Sequence, residues 1–179
     1  MKITQSHITN SAARSGKKLK AAKRIVVHWT GNRDKGAGAV AHRSYFNKPG
    51  ISESYHYLVE NEFVLEIIPL DEISHHSGKF WGRVREGIEW QRFSELAPNP
   101  NYHSISIAIC VNVDSDFGKT FFTSAKLTAQ LLCDFGLSIG DIFRHFDLTR
   151  KKCPLMFVEP EAWALFIHAV LDEYEKLNA

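Results

Sequence analysis

Residues 104–111 read Ser-Ile-Ser-Ile-Ala-Ile-Cys-Val, and this stretch constrains the fold more than any other in the chain. Its alternation is that of a β-strand, in which successive side chains point to opposite faces of a sheet. Ile105, Ile107, Ile109 and Val111 make one face wholly apolar. Ser104, Ser106, Ala108 and Cys110 make the other uniformly small. The apolar face demands a layer packed over it. The small face demands either close packing or room for a ligand. A second short β-rich run, Ile25 to Trp29, ends at the turn signal Thr30-Gly31-Asn32. Residues 54–60 and 63–68 are strand-like too, and only Asn61-Glu62 separates them, as in a hairpin.

Three helical patterns accompany these strands. Ala37, Val40, Ala41, Ser44 and Tyr45 share one helical face, with Pro49-Gly50 as the stop. Thr123 is a candidate cap for a helix running to about Phe135, striped by Leu127, Leu131 and Phe135 and stopped at Gly136. Pro160 opens a last helix, with Trp163, Phe166, Ile167, Val170, Leu171 and Tyr174 on one stripe expected to lie across the sheet. Strands mixed with helices predict a single layered α/β domain, a mixed central sheet flanked by helices. A length of 179 residues suffices for one such core.

Residues 1–24 are expected to form an irregular basic arm ahead of a domain over 25–179. Arg14, Lys17, Lys18, Lys20, Lys23 and Arg24 crowd eleven residues without an acid. Such a run reads as a solvated arm, or as one drawn to a polyanion. The formal net charge of +2 gives no reason to expect nucleic-acid binding. No apolar run is long enough to span a membrane. The first residues lack the apolar core of a signal peptide, so synthesis in the cytoplasm is expected. Three cysteines make no disulfide framework and suit a reducing compartment or a thiolate that binds metal.

The chemistry-bearing residues gather in two places. Arg144-His145-Phe146-Asp147 and Lys151-Lys152-Cys153-Pro154 put a His and a Cys eight positions apart on a polar, non-periodic stretch. His28 lies near the end of the Ile25–Trp29 run, at the kind of strand end where α/β proteins bind ligands. Two imidazoles and a thiolate are a sound donor set for a catalytic zinc, whose fourth position is left to water. Lys151, two residues before the cysteine, is a candidate to face an oxyanion. Tyr55, expected on a strand, is a candidate to hold the attacking water. A solvated lysine and a half-buried strand aromatic are the plain alternatives, and spacing alone does not separate them.

Ile25 to Thr30, Ser54 to Val59, His76-Ser77-Gly78, Asn101 to Ile107 and the 144–154 segment resemble, in order, the motifs of the zinc-dependent N-acetylmuramoyl-L-alanine amidases. This is the phage-lysozyme type of amidase, which also contains the peptidoglycan recognition proteins. The resemblance implies His28, His145 and Cys153 as ligands to Zn2+, with Lys151 as transition-state stabiliser and Tyr55 as the catalytic tyrosine of one branch. Other branches carry a Glu general base where this chain has Ala108. Ser106 stands where the family usually has Gly. The resemblance further implies peptidoglycan as substrate, with hydrolysis between N-acetylmuramic acid and the L-alanine of the stem peptide. His76 and Asn101 are expected to touch substrate in the groove. Trp81, in a non-periodic stretch rich in Trp and Arg, is expected at its rim. The biological expectation is a phage endolysin, held in the host cytoplasm until released to the cell wall, or a bacterial autolysin. A non-catalytic peptidoglycan-binding module is the alternative, as is a cysteine hydrolase using Cys153 and His145.

Overall fold

In the computed structural model, residues 2–78 and 99–179 are described. Trp81 and the rest of the expected rim segment lie outside them. Six strands among the described residues make one sheet: β1 (Ile3–Gln5), β2 (Arg24–Trp29), β3 (Tyr57–Glu60), β4 (Phe63–Glu66), β5 (Ser104–Ile109) and β6 (Ile142–Arg144). Their spatial order is β1-β4-β3-β5-β2-β6. Only the β3–β4 hairpin is antiparallel; every other pairing is parallel. The mixed α/β sheet is the one expected. Its strands meet the rule that parallel sheets are covered on both faces, for all six residues of β5 are buried.

One face packs Ile25, Val27, Tyr57, Val59, Ile105, Ile107 and Ile109 against helices. These helices are α2 (Phe117–Phe135) and α4 (Pro160–Asn178). α4 begins at Pro160 as the sequence predicts, but it lies chiefly beside α2 rather than across the sheet. Phe166 locks the pair: it is fully buried, and its ring meets Phe121, Phe157 and Trp163. α2 starts six residues before the expected Thr123. Asp116 caps it, accepting a hydrogen bond from the Lys119 N–H at 3.0 Å. The C-terminal stop at Gly136 is as expected, in the left-handed conformation at φ 62°.

The opposite face is covered by the N-terminal stretch and by α1 (Ala39–Phe46). α1 is turned from its expected orientation. It buries Ala39, His42 and Phe46, while Val40 and Tyr45 are exposed. The cause lies at its start, where Gly38 leaves room for the Glu60 carboxylate; a Cβ there would overlap it. Glu60 accepts from the Ala39 N–H at 2.9 Å, a favourable place for an anion at a helix N-terminus.

Residues 2–24 pack on the domain rather than forming a solvated arm. β1 pairs with β4, and the Ile8 N–H donates to the Ile67 carbonyl at 3.0 Å. Ile8 and Ala13 are fully buried. Arg14 grips Glu72 with two 2.8 Å bonds, and Lys18 and Arg24 pair with Asp71 and Asp141. Three of the six cations in this run are thus answered by acids distant in the chain. No helix among the described residues is long and apolar enough to cross a membrane.

The docking of this stretch is open to test. Truncating Ile8→Ala should lower unfolding free energy by about 2–5 kcal/mol, the cost of emptying a core site. Urea denaturation measures it. A solvated arm would give a midpoint equal to that of the unmodified protein.

Candidate metal-binding active site

β2 carries Val26 and His28 toward the face opposite Ile25 and Val27, because side chains alternate along it. Its register sets His28 beside Ala108 of β5 and Val27 beside Arg144 of β6. His145 follows Arg144 directly and opens the short helix α3 (His145–Thr149). Two parallel neighbours therefore bring His28 and His145 level, with ring centroids 4.7 Å apart. The chain then reverses through Arg150, held at φ 62°, and returns so that the Phe146 N–H donates to the Cys153 carbonyl at 2.8 Å. Arg144 anchors the loop from beneath, paired with Asp147 at 2.7 Å and donating to the Phe157 and Val158 carbonyls. The result is a buried cluster of His28, His145 and Cys153, whose ligand atoms all lie within 4.8 Å of one another. That donor set and spacing suit one small metal ion.

Hydrogen bonds fix which nitrogen His28 offers. Ser104 Oγ donates to the Pro100 carbonyl at 2.7 Å, so toward His76 it acts as acceptor. His76 Nε2 donates to it at 3.0 Å. His76 Nδ1 then has only a lone pair, and accepts from His28 Nε2 at 2.9 Å. The remaining nitrogen of His28, Nδ1, is unprotonated and stands 3.7 Å from Cys153 Sγ. A neutral imidazole with one nitrogen bonded and the other free is the form that binds metal.

The small face of β5 is filled in the same manner. Ser106 Oγ accepts from the His56 N–H at 3.0 Å and bonds Ser74 Oγ at 2.7 Å. His56 Nδ1 accepts from the Ser106 N–H, and His56 Nε2 donates to the Glu72 carbonyl, both at 3.0 Å. The serine thus closes a buried polar network that a glycine would leave open.

Electrostatics follow from burial. Desolvation holds His28 and His76 well below the usual imidazole range and pushes His56 down to about 4. Burial, then Lys151, lowers His145 to about 4. Burial pushes the Cys153 thiol up to about 11, against the pull of the Trp29 N–H and Lys151. Lys151 is exposed yet acts on all three ligand residues.

Tyr55 precedes β3 rather than lying on it, and is 5% exposed. Its ring sits 5.0 Å from that of His28. Its hydroxyl donates to Glu53, a residue that the motifs do not single out. The signal was their spacing of two, which in extended chain puts both side chains on one side. Both line a cavity of about 460 Å³ together with Thr30, Asn32, Ala41 and Tyr45. A second cavity, of about 490 Å³, lies past Trp29, lined in part by Arg33, Phe117 and Leu155. His76 and Asn101, expected in the groove, are each 5% exposed and spend their polar atoms inside the protein. Asn101 Oδ1 accepts from the Ser77 N–H and hydroxyl at 3.0 and 2.9 Å, which holds the 76–77 turn over Ser104.

The family described as N-acetylmuramoyl-L-alanine amidase matches residues 18–155. The N-acetylmuramoyl-L-alanine amidase BlyA of Bacillus subtilis (strain 168) is 36% identical over 159 residues, which are 87% of this chain and 43% of BlyA. The amidase CwlL of Bacillus licheniformis is 34% identical over 165 residues, 88% of this chain and 43% of CwlL. The chain therefore spans under half the length of these curated relatives. Among solved structures, the catalytic domain of XlyA superposes with a TM-score of 0.79 at 27% identity, covering 95% of this chain and 99% of that one. A mutant endolysin from Bacillus subtilis gives 0.79 at 28% identity, with the same coverage.

Two outcomes follow from the site's hydrogen bonds and burial. His76→Phe keeps the bulk but cuts the chain that orients His28, so affinity for a divalent metal ion should fall about 10–100-fold. Competition against a chromophoric chelator reads this, and unchanged affinity would contradict the tautomer assignment. His56 is neutral in the fold and takes up a proton near pH 6.5 when unfolded. Its contribution is whole above pH 6.5 and is lost as pH falls toward 4, on the order of 3 kcal/mol in all. Urea midpoints should drop between pH 7.5 and 5, and a flat profile would refute this.

Proposed function

The chain belongs to the N-acetylmuramoyl-L-alanine amidase family, and from that premise we propose that it cuts peptidoglycan between N-acetylmuramic acid and the L-alanine of the stem peptide. The observation that carries the proposal is the buried convergence of His28, His145 and Cys153. These residues would hold a zinc ion, consistent with a soft thiolate beside two neutral imidazoles. Bound there, zinc would supply Lewis acidity, making a water more acidic and the scissile carbonyl more electrophilic.

The chain's own residues supply the remaining tasks. Lys151 is placed by the turn before Cys153, exposed beside the ligand cluster, and its ammonium offsets negative charge growing on the carbonyl oxygen. Tyr55 presents its hydroxyl from the groove wall and orients the attacking water. His76 and Asn101 serve the site from behind, by fixing His28 and the 76–77 turn. The groove lined by Tyr45 and Tyr55 offers aromatic walls, which suit sugar faces and the stem peptide.

A binding module without catalysis would not require a buried cysteine between two imidazoles. A cysteine hydrolase fits worse. Its nucleophile would sit where a helix N-terminus activates the thiol, whereas Pro154 follows Cys153 directly and no α-helix opens at the cysteine. The endolysin likeness of the neighbour structures supports action on the cell wall, as an endolysin released to it or as an autolysin.

Digestion of purified sacculi tests the proposal. New L-alanine N-termini without new reducing sugars are expected, and new reducing ends would overturn it. Chelation or Cys153→Ala should abolish release, while Lys151→Ala should lower kcat about 100-fold or more with zinc content unchanged.

A further inference from the structure

Ala108, fully buried beside His28, offers the site no carboxylate that could accept a proton from water. Tyr55 alone does not replace such a group. A neutral phenol that hands on a proton needs an acceptor on its other side. The structure provides one: the Tyr55 hydroxyl donates to the Glu53 carboxylate. Glu53 is exposed at the groove, while Tyr55 is buried and reaches inward to His28. The two therefore link the metal-ligand cluster to a carboxylate at the exposed edge of the groove.

We propose that Glu53 is the proton acceptor of the reaction, reached through the Tyr55 hydroxyl. The inference rests on the amidase reading above. As the water oxygen bonds to the acyl carbon, a water proton passes to Tyr55 Oη and the Tyr55 proton passes to Glu53. As the C–N bond breaks, its electron pair goes to nitrogen, which takes the proton back along the same path. The second water proton stays on the new carboxyl group, and Glu53 and Tyr55 end as they began. Glu53 touches Tyr55 rather than the reacting atoms, so it acts as a positioning and proton-accepting residue, with Tyr55 as the catalytic one.

The test uses the full chain loaded with zinc. Glu53→Gln retains an oxygen for the Tyr55 hydroxyl but takes no proton. It should lower kcat about 100-fold with KM little changed, and should remove the acid limb of the kcat–pH profile. The double variant Glu53→Gln/Tyr55→Phe should be no slower than Tyr55→Phe, since both act in one path. Glu53→Ala should regain rate on adding formate, a small carboxylate able to enter the open groove. Because Glu53 is exposed, these variants should fold and hold zinc one to one. Loss of zinc in Glu53→Gln, an unchanged kcat and pH profile, multiplicative losses in the double variant, or failure of formate rescue would each overturn the proposal. If unmodified enzyme releases no L-alanine N-termini, it is the amidase reading that fails. If it does release them and the Glu53 variants behave normally, only the relay fails.

Discussion

The site depends on β2 being hydrogen-bonded in parallel on both sides. A strand so held has no freedom to slip, because a one-residue shift would turn His28 into the helix-covered face and Val27 into the metal cluster. The apolar alternation of β5 and β2 therefore does two things together. It drives one face onto α2 and α4, and it obliges the other face to hold His28, Ser104, Ser106 and Ala108. β6 then needs only three residues to bring His145 level with His28. Burial of the hydrophobic face thus provides the rigidity that ligand geometry requires.

The second consequence is electrostatic. Histidines brought onto a buried face must be neutral, and neutral imidazoles must have their N–H groups satisfied. The run from the Pro100 carbonyl through Ser104 and His76 to His28 meets that requirement and also decides which nitrogen faces Cys153. A stability device and a metal-site device are the same hydrogen bonds. The small side chains of β5 matter for this reason: anything larger at 104 or 106 would displace the imidazoles above them.

The alternation at 104–111, the hairpin, the starts and stops marked by Pro160 and Gly136, and the clustering of His28 with His145 and Cys153 were legible because each rests on local periodicity or on residue chemistry. What escaped depends on distant partners. Nothing near residues 1–24 signals that Glu72, Asp71 and Asp141 will pair with Arg14, Lys18 and Arg24. The orientation of α1 is set by Glu60, distant from Gly38 in sequence but packed against it, and overrides the helical stripe that includes Val40 and Tyr45. The Thr123 cap was displaced because Asp116 offers a carboxylate to the free N–H groups two turns earlier, and Phe121 inside the extended helix gains contacts with Phe157 and Phe166. Motif likeness singles out His76 and Asn101 but not which way their polar atoms point, which is toward His28, Ser104 and Ser77.

Glu53 shows why a motif is an incomplete guide to chemistry. A carboxylate at position 108 would stand on a fully buried strand beside neutral imidazoles, and its charge would have to be desolvated. With alanine there, the strand packs freely and His28 has space. The carboxylate that contacts Tyr55 stands instead on the exposed chain before β3, where water solvates it. The distance so created is bridged by Tyr55, whose ring meets that of His28 and whose hydroxyl donates to the Glu53 carboxylate. A phenol in that bridge is useful because it stays neutral: its proton can leave only as another arrives, so charge never accumulates inside the site. The rigid sheet holds the ligands, and the exposed edge of the groove holds the proton.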